Sequence, residues 1–173
     1  MPKKPKKTYL ISACLLGLAT RYDGSHSCSP RLRRFCRRYR LIPVCPEQLG
    51  GLPTPRYPAE IRGGDGSAVL QGKAVVVDKT GADRTTQFIC GAVGALQLAD
   101  LFQVDGAILK SGSPSCGVGS IRDGSFSGCH RSGDGVAAAL LKGHGIPVYS
   151  ELKLPPEIIS RRQSSLKKRQ SPG

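Results

Sequence analysis

The stretch TTQFICGAVGALQLADLFQVDGAILKSGSPSCG, from Thr85 to Gly117, is the part of the chain that best predicts the fold class. Its first half, Thr85–Leu101, carries apolar residues at helical spacing and predicts a well-buried helix. The apolar run Gly106–Leu109 then predicts a short buried strand. A loop rich in serine and glycine follows that strand and leads to Cys116. A helix that runs into a strand in this way indicates a layered α/β fold.

Shorter elements on either side repeat this alternation. Further strands are predicted at Tyr9–Ala13, Leu41–Val44 and Ile146–Tyr149. Two more helices are predicted, Pro30–Tyr39 behind a Ser29 cap and Gly135–Lys142 behind an Asp134 cap. Strands that alternate with helices indicate a three-layer α/β fold with a mostly parallel, Rossmann-like sheet.

Three other segments predict less regular structure. Gly50–Gly66 is dense in glycine and proline and predicts a long irregular loop, within which Arg56 and Glu60 are expected to pair. Ala68–Val77 predicts an extended segment. The polar, glycine-rich stretch Asp123–Asp134 predicts a mobile loop.

The cysteines are distributed in a way that suggests a site rather than a disulfide framework. There are seven of them, an odd number, and no CxxC pair, which argues against zinc-ribbon and thioredoxin-like motifs. Three follow predicted strands: Cys14, Cys45 and Cys116. Because ligands of open parallel sheets bind at the carboxyl ends of strands, we expect these thiols at one edge of the sheet. Of the other four, Cys90 is interpreted as a core residue, Cys36 as part of the apolar face of the predicted helix Pro30–Tyr39, and Cys28 and Cys129 as loop thiols without function.

Three thiols at one edge could hold more than one inorganic group. Zinc with three protein ligands and an open position is one candidate, although catalytic zinc sites usually include histidine. An iron–sulfur cluster is the better match, because thiolates are its usual ligands. Glycines and prolines around the three loops would let the backbone approach a bulky group and would stiffen the segments that carry its ligands.

The positive charge is concentrated in three segments. The chain has 26 Lys+Arg against 12 Asp+Glu, a formal net charge of +14. Residues 1–7 and 161–173 are basic and poor in apolar residues, which predicts disordered tails on either side of a single domain at 8–160. The third segment is the arginine-rich face of the predicted helix Pro30–Tyr39. This charge either keeps the protein in solution or supports a weak contact with RNA.

Targeting and nucleotide-binding motifs are absent from the sequence. No stretch approaches about 20 consecutive apolar residues, so no membrane span is predicted. The basic start of the chain is not followed by a segment with the length and polarity of a signal peptide. No glycine-rich phosphate-binding motif follows a predicted strand. We therefore expect a cytoplasmic protein with no membrane contact.

Four longer segments carry specific motifs: CLLGLATRYDG (Cys14–Gly24), IPVCPEQLGGLPTPRYPAEI (Ile42–Ile61), ILKSGSPSCG (Ile108–Gly117) and DGSFSG (Asp123–Gly128). Together they resemble the TudS-type thiouracil desulfidase family, formerly a domain of unknown function. The resemblance extends from about Tyr9 to Glu151.

The resemblance implies a cofactor and a reaction. It implies a [4Fe-4S] cluster bound by Cys14, Cys45 and Cys116, with one iron not bound by the protein. Members of this family remove sulfur from thiolated pyrimidines without net redox chemistry, and the products here would be uracil or uridine and hydrosulfide. By the same resemblance Glu47 is the acid/base, assisted by a serine, for which Ser113 is the first choice and Ser111 the second.

Further residues of these motifs are candidates for the substrate pocket: Arg21, Tyr22, Asp23 and Lys110. Three alternatives remain open at this stage. The chain could desulfurate thiouridine within tRNA, or it could be a basic RNA-binding protein with structural or zinc-bound cysteines. It could also be a sulfur carrier on the same fold.

Overall fold

The computed structural model describes residues 6–28, 30–33, 35 and 38–156. Its elements follow in the order β1 (Thr8–Ser12), a 3-10 helix (Ala13–Leu16), α1 (Pro30–Arg33), β2 (Arg40–Val44), α2 (Pro46–Leu49), β3 (Ala59–Arg62), α3 (Gly66–Leu70), β4 (Val75–Asp78), α4 (Thr85–Leu101), β5 (Gly106–Leu109), β6 (Ser120–Arg122), β7 (His130–Ser132), α5 (Val136–Gly143) and β8 (Val148–Ser150).

A four-stranded parallel sheet in the order β2-β1-β5-β8 forms the centre of the molecule. In its register, Leu10 of β1 lies between Ile42 of β2 and Ala107 of β5. The inner strands β1 and β5 are buried almost throughout, as expected for a parallel sheet that is covered on both faces. Strand β2 lies at the edge, where it tolerates Pro43, which has no amide proton to donate. The predicted parallel α/β fold is confirmed.

Different elements cover the two faces of this sheet. On one face it packs against α4 and α5, where small side chains such as Ala95 and Ala99 allow close approach. The 3-10 helix, α1 and the chain after β8 cover the other face through Leu15, Leu32 and Leu154. Full burial of a leucine of this kind stabilises the fold by about 1.5–3 kcal/mol. The result is the predicted three-layer arrangement.

Two small antiparallel pairs extend the molecule beside the main sheet. Strand β3 pairs with β4, and β6 pairs with β7. A further core joins these pairs to α3, α4 and α5, with Ile61, Val76, Phe88, Ile121 and Val136 at its centre. Both pairs contribute residues to the wall of the cavity described below.

The strongly periodic segments were predicted well. Helix α4 and strand β5 have the predicted bounds, and the other three predicted strands are displaced by one or two residues. The predicted cap of α5 is wrong, because Gly135 occupies the N-cap position. Asp134 instead accepts a hydrogen bond from the Gly119 amide at 2.7 Å and forms an ion pair with Lys142.

The three segments predicted as irregular or extended contain regular structure. The loop predicted at Gly50–Gly66 includes β3, and the stretch predicted as mobile at Asp123–Asp134 includes β7. Both are short strands stabilised by partners that local composition does not reveal. The extended segment predicted at Ala68–Val77 begins inside α3, whose N-cap Asp65 accepts a hydrogen bond from the Ala68 amide at 3.1 Å.

The predicted role of Cys90 as a core residue is wrong. Helix α4 turns Phe88, Gly91 and Ala92 toward the core, and Cys90 lies exposed on the opposite side. Helical periodicity identified the helix correctly, but a cysteine between apolar residues does not reveal which face it occupies.

Some predictions fall outside the described residues. These are the Ser29 cap, residues 34, 36 and 37 of the predicted helix Pro30–Tyr39 (Cys36 among them), residues 157–160 of the predicted domain, residues 1–5 of the first predicted tail and the whole predicted tail 161–173. The division into tails and a single domain therefore stays a prediction. Within the ranges that are described, no helix is long and apolar enough to cross a membrane.

Candidate active site

The carboxyl ends of β1, β2 and β5 open into a cavity of about 800 Å³. Cys14, Cys45 and Cys116 all line it. Because the three strands run parallel and lie side by side, the loops that follow them meet at one edge of the sheet. The structure therefore brings together the three cysteines that strand order predicted.

Cys14 lies in the 3-10 helix directly after β1 and is buried. Its carbonyl oxygen accepts hydrogen bonds from the amides of Gly17 at 3.3 Å and Ser27 at 3.0 Å. Gly17 ends the turn with a φ of +99°, a conformation that favours glycine. These contacts fold the loop after Cys14 back over it.

Cys45 directly follows β2 and occupies the N-cap position of α2. Its thiol donates a hydrogen bond to the carbonyl oxygen of Thr20, with the sulfur 3.6 Å from that oxygen. Helix α2 is pressed against α4, since a Cβ atom on Gly91 would lie only 1.8 Å from the carbonyl oxygen of Pro46. The packing of two helix backbones at a glycine therefore fixes where Cys45 stands.

Cys116 lies in a tight turn after β5 and is also buried. The hydroxyl oxygen of Ser113 accepts hydrogen bonds from the amides of Ser115 and Cys116, both at 3.1 Å. The amide of Gly117 closes the turn by donating to the carbonyl oxygen of Ser113 at 2.8 Å. The serine- and glycine-rich sequence thus forms a compact loop around the cysteine.

Burial is the main electrostatic influence on two of these thiols. It raises the pKa of Cys14 to about 11, an effect that Cys45 reinforces and that Lys110 and Arg21 oppose. Burial also raises the pKa of Cys116, against a hydrogen bond from Ser12. Without a bound cation, both groups are therefore neutral thiols at pH 7, and binding of a metal group would release their protons.

The donor set fits a cluster of several metal atoms. Among the residues that the structure describes, no three His, Cys, Asp or Glu side chains converge on a site for a single metal ion. A cubane iron–sulfur cluster makes a different demand, since each thiolate binds a different iron atom. Three cysteines around one cavity, two of them buried, meet that demand in number and in chemical type.

Glu47 stands in the first turn of α2, two residues after Cys45, and its side chain is only 15% exposed. One carboxylate oxygen, Oε2, accepts a hydrogen bond from Arg56 Nε at 2.6 Å. The other, Oε1, accepts one from the Ser113 hydroxyl at 3.5 Å. The structure thus joins the predicted acid/base and the first-choice serine beside Cys45 and Cys116.

Comparison with known proteins shows which family the chain belongs to. The family model described as 2-thiouracil desulfurase matches residues 9–153. The chain belongs to the 2-thiouracil desulfurase family. The predicted family membership is thereby confirmed.

Two relatives illustrate the similarity. The chain is 46% identical over 145 residues to the uncharacterized protein YbbK of Bacillus subtilis (strain 168), an alignment that covers 84% of this chain and 96% of YbbK. It is also similar to the solved structure of the [4Fe-4S]-dependent thiouracil desulfidase TudS, with 42% identity and a TM-score of 0.78. That match covers 91% of this chain and 99% of TudS.

The second-choice serine of this family member has a different partner. The Ser111 hydroxyl donates to Glu151 Oε1 at 2.7 Å, and its amide donates to Oε2 at 2.8 Å. Lys110 completes the group, with its Nζ 2.8 Å from Glu151 Oε1. Burial opposes ionisation of Glu151, but hydrogen bonds from Lys110 and Ser111 outweigh it and lower the pKa of the carboxyl. Sequence reasoning missed Glu151, although its place directly after the last strand was a usable signal.

The predicted pocket residues divide into two groups. Arg21, Tyr22 and Lys110 line the cavity, and the Arg21 guanidinium lies 5.7 Å from the centre of the Tyr22 ring. Asp23 is not among the lining residues. It accepts hydrogen bonds from the hydroxyl and amide of Ser25, which lower its pKa to about 2 and close a surface turn.

The expected pair between Arg56 and Glu60 is wrong. Arg56 pairs with Glu47, as described above. The buried Glu60 instead accepts hydrogen bonds from the amides of Gly124 at 2.9 Å and Phe126 at 3.0 Å. It thereby ties β3 to the loop between β6 and β7.

Sequence reasoning missed the far wall of the cavity. That wall includes Lys79, Arg122, Phe126 and His130, which come from the two antiparallel pairs and their loops. Phe126 belongs to the DGSFSG motif, but the four residues are separated along the chain, and no single motif relates them to one another. By contrast, Cys28, Cys90 and Cys129 are not among the lining residues, and all three are at least partly exposed.

Proposed function

We propose that this chain is an iron–sulfur-dependent desulfidase that removes sulfur from thiolated pyrimidines. The proposed substrates are 2-thiouracil or 4-thiouracil and their nucleosides, and the products are uracil or uridine and hydrosulfide. The supporting observation is that three strand-end thiols, Glu47 and Ser113 line one cavity. The proposed cofactor is a [4Fe-4S] cluster held by Cys14, Cys45 and Cys116. With one iron free of protein ligands, it would supply a Lewis acid for the thiocarbonyl sulfur.

The proposed reaction exchanges sulfur for oxygen without a change in oxidation state. A water oxygen forms a bond to the thiocarbonyl carbon, and the carbon–sulfur bond breaks. Each turnover consumes one water and releases one hydrosulfide and one proton. No external electron donor is needed, so the step is hydrolytic.

Glu47 is the residue proposed to move the proton. It would accept a proton from the attacking water and return one to the departing sulfur, a role that contributes roughly 10²–10⁴-fold to a rate. Its Oε1 faces the Ser113 hydroxyl, which makes Ser113 the serine proposed to assist. Ser111 is less suitable, because Glu151 already binds both its hydroxyl and its amide.

The cavity supports a small-molecule substrate. Its volume of about 800 Å³ is within the range found for sites that bind drug-sized ligands, so a nucleoside fits as well as a free base. Tyr22 and Phe126 offer aromatic surfaces in its wall, against which a pyrimidine ring can pack. Thiouridine within tRNA is the alternative substrate that the experiment below distinguishes.

The test is an anaerobic purification followed by assays with several substrates. We expect a brown protein with about four irons per chain and matching acid-labile sulfide. It should convert many equivalents of 2-thiouracil or 4-thiouracil, or of a thiouridine nucleoside, measured by loss of thiocarbonyl absorption and release of sulfide. A colourless zinc protein would contradict the proposal, and a single turnover would indicate a sulfur carrier instead. Activity confined to thiolated tRNA would overturn the assignment of a small-molecule substrate.

A further inference from the structure

We infer that Arg56 is a positioning residue that holds the Glu47 carboxylate in its working orientation. The inference rests on the proposed role of Glu47 and deepens it. Arg56 comes from the proline-rich segment before β3, and its side chain is only 7% exposed. Its Nε donates to Glu47 Oε2 at 2.6 Å, which leaves Oε1 directed at the Ser113 hydroxyl.

The remaining nitrogens of the guanidinium bind two other segments. Nη1 donates to the carbonyl oxygen of Pro53 at 3.1 Å and to the Thr54 hydroxyl at 2.9 Å. Nη2 donates to the carbonyl oxygen of Thr20 at 3.0 Å. A planar guanidinium with donors in a fixed fork is suited to such a junction, and a lysine ammonium is not.

The same junction reaches one of the proposed cluster ligands. The Thr20 carbonyl oxygen that Arg56 binds also accepts a hydrogen bond from the Cys45 thiol, and Arg56 Nη2 lies 4.0 Å from that sulfur. Arg56 therefore ties the loop after Cys14 to the segment that carries Cys45 and Glu47. Each nitrogen of the guanidinium already donates to an acceptor within the protein. The guanidinium therefore holds protein segments together and does not bind the substrate.

Because Arg56 contacts Glu47 and not the substrate, its replacement should change kcat and not KM. A carboxylate that loses its clamp can rotate away from the reacting atoms, and misplacement by about 1 Å costs on the order of 10²-fold in rate. Substrate binding should change little, because Arg56 has no free donor to offer. The Arg56→Gln variant should therefore lose kcat and keep its KM.

The experiment is a double-mutant cycle on the cluster-loaded enzyme with Arg56→Gln, Glu47→Gln and the combination of both. Glu47→Gln alone should bind the cluster and lose roughly 10²–10⁴-fold in kcat. Arg56→Gln should lose about 10²-fold, yet less than about threefold when Glu47 is already glutamine, because residues that act as a unit are not additive. Arg56→Lys should stay low as well, since it keeps the charge but not the fork. The matched control is Arg84→Gln, which breaks an ion pair with the buried Asp78, and since neither partner lines the cavity, kcat should stay unchanged.

A second readout does not depend on catalysis. Iron per chain and the midpoint of thermal unfolding at one scan rate are measured for the same variants. Arg56→Gln should lower the midpoint because the largely buried Glu47 side chain loses its partner, and the double variant should recover part of that loss. Additive effects in both cycles, or full activity in Arg56→Lys, would overturn the inference. If the unaltered enzyme does not desulfurate thiopyrimidines, the proposed function fails, whereas the unfolding cycle still tests the pair.

Discussion

At the scale of single residues, the cysteines of this chain differ in where the backbone places them rather than in local composition. Cys14, Cys45 and Cys116 each follow a parallel strand and share a cavity. Cys90 sits among apolar residues, as a core cysteine would, yet lies exposed on a helix. Position relative to strand ends was therefore the informative signal, and hydrophobic surroundings were not.

Replacement of any proposed ligand should abolish cluster binding. We expect Cys14→Ser, Cys45→Ser and Cys116→Ser each to lose most iron and labile sulfide, because a hydroxyl is a poor ligand for this soft site. The control Cys90→Ser should keep the iron content and activity of the unaltered protein, since Cys90 is exposed outside the cavity. Iron analysis and visible absorption after anaerobic purification measure both. A Cys45→Ser protein with a full complement of iron would exclude Cys45 as a ligand.

The two serines should differ in their effect on catalysis. Ser113 donates to Glu47, whereas Ser111 donates to Glu151. Ser113→Ala should lower kcat for a thiolated pyrimidine by about tenfold or more, a loss typical of a hydrogen bond to a charged group. Ser111→Ala should lower kcat less and should affect stability, because the Glu151 carboxylate loses a partly buried hydrogen-bond donor. The reverse order of the two effects on kcat would assign the assisting role to Ser111.

At the scale of elements, the site depends on how α2 is seated on α4. Gly50 and Gly91 meet where the two helix backbones touch, with no room for a side chain on either. Cys45 and Glu47 both stand at the start of α2, so this contact determines where a proposed ligand and the proposed acid/base lie.

Two glycines of α4 provide a matched pair of variants for this contact. Gly91→Ala places a Cβ atom 1.8 Å from the Pro46 carbonyl oxygen, so we expect a loss of about 1–3 kcal/mol in the free energy of unfolding and a displaced α2. Gly94→Ala places its Cβ atom at an ordinary 3.5 Å from the Leu49 side chain. It should instead stabilise the helix by about 0.4–1 kcal/mol. Thermal or urea unfolding compares them, and equal stability of the two variants would contradict the argument.

The turn after β4 should make stability depend on pH in the acid range. Asp78 accepts hydrogen bonds from Thr80 and Arg84, and although burial opposes ionisation, they lower its pKa from 3.8 to about 2. A depressed pKa means that this carboxylate contributes its full stability above about pH 4 and loses it as the pH falls toward 2. Asp78→Asn should therefore be less stable than the unaltered protein at pH 6, and the difference should shrink by pH 2.5. A difference in unfolding midpoint that is constant over this range would rule out the carboxylate as its source.

At the scale of the whole molecule, the excess of positive charge is carried by segments of the sequence other than those that line the cavity. Fifteen of the 26 basic residues stand in segments 1–7, 31–40 and 161–173, which contain no acidic residue, and the rest of the chain has 11 against 12 acidic. Within the part of the chain that the structure describes, none of the residues that line the cavity belongs to these three segments. The segments that carry the excess charge are therefore distinct in sequence from the residues that line the cavity.

Removal of residues 1–5 and 161–173 tests this separation. Activity toward free 2-thiouracil should stay within about twofold, an effect comparable to that of surface changes away from a site. Retention of RNA on a filter at low salt should fall, because contacts between basic residues and phosphates dominate such binding. A truncated protein that binds its cluster but has lost activity on the free base would show that a terminal segment belongs to the site.

The sequence by itself was sufficient to predict the layered α/β fold, the shared cavity of the three strand-end cysteines and the family. Long apolar periodicity predicted α4 and β5 to the residue, and strand-end position predicted that Cys14, Cys45 and Cys116 meet. These features are local, or they follow from the general rule that the ends of parallel strands share one edge.

Only the tertiary structure decided which partners surround those residues. In the structure Arg56 pairs with Glu47 and not with Glu60, and Ser111 donates a hydrogen bond to Glu151. The far wall of the cavity comes from two antiparallel strand pairs, in segments where composition had partly predicted loops. A carboxylate or a short strand is compatible with many partners, and packing chooses among them through contacts between residues far apart in the chain. That choice depends on distances in three dimensions, which the order of residues along one dimension does not reveal.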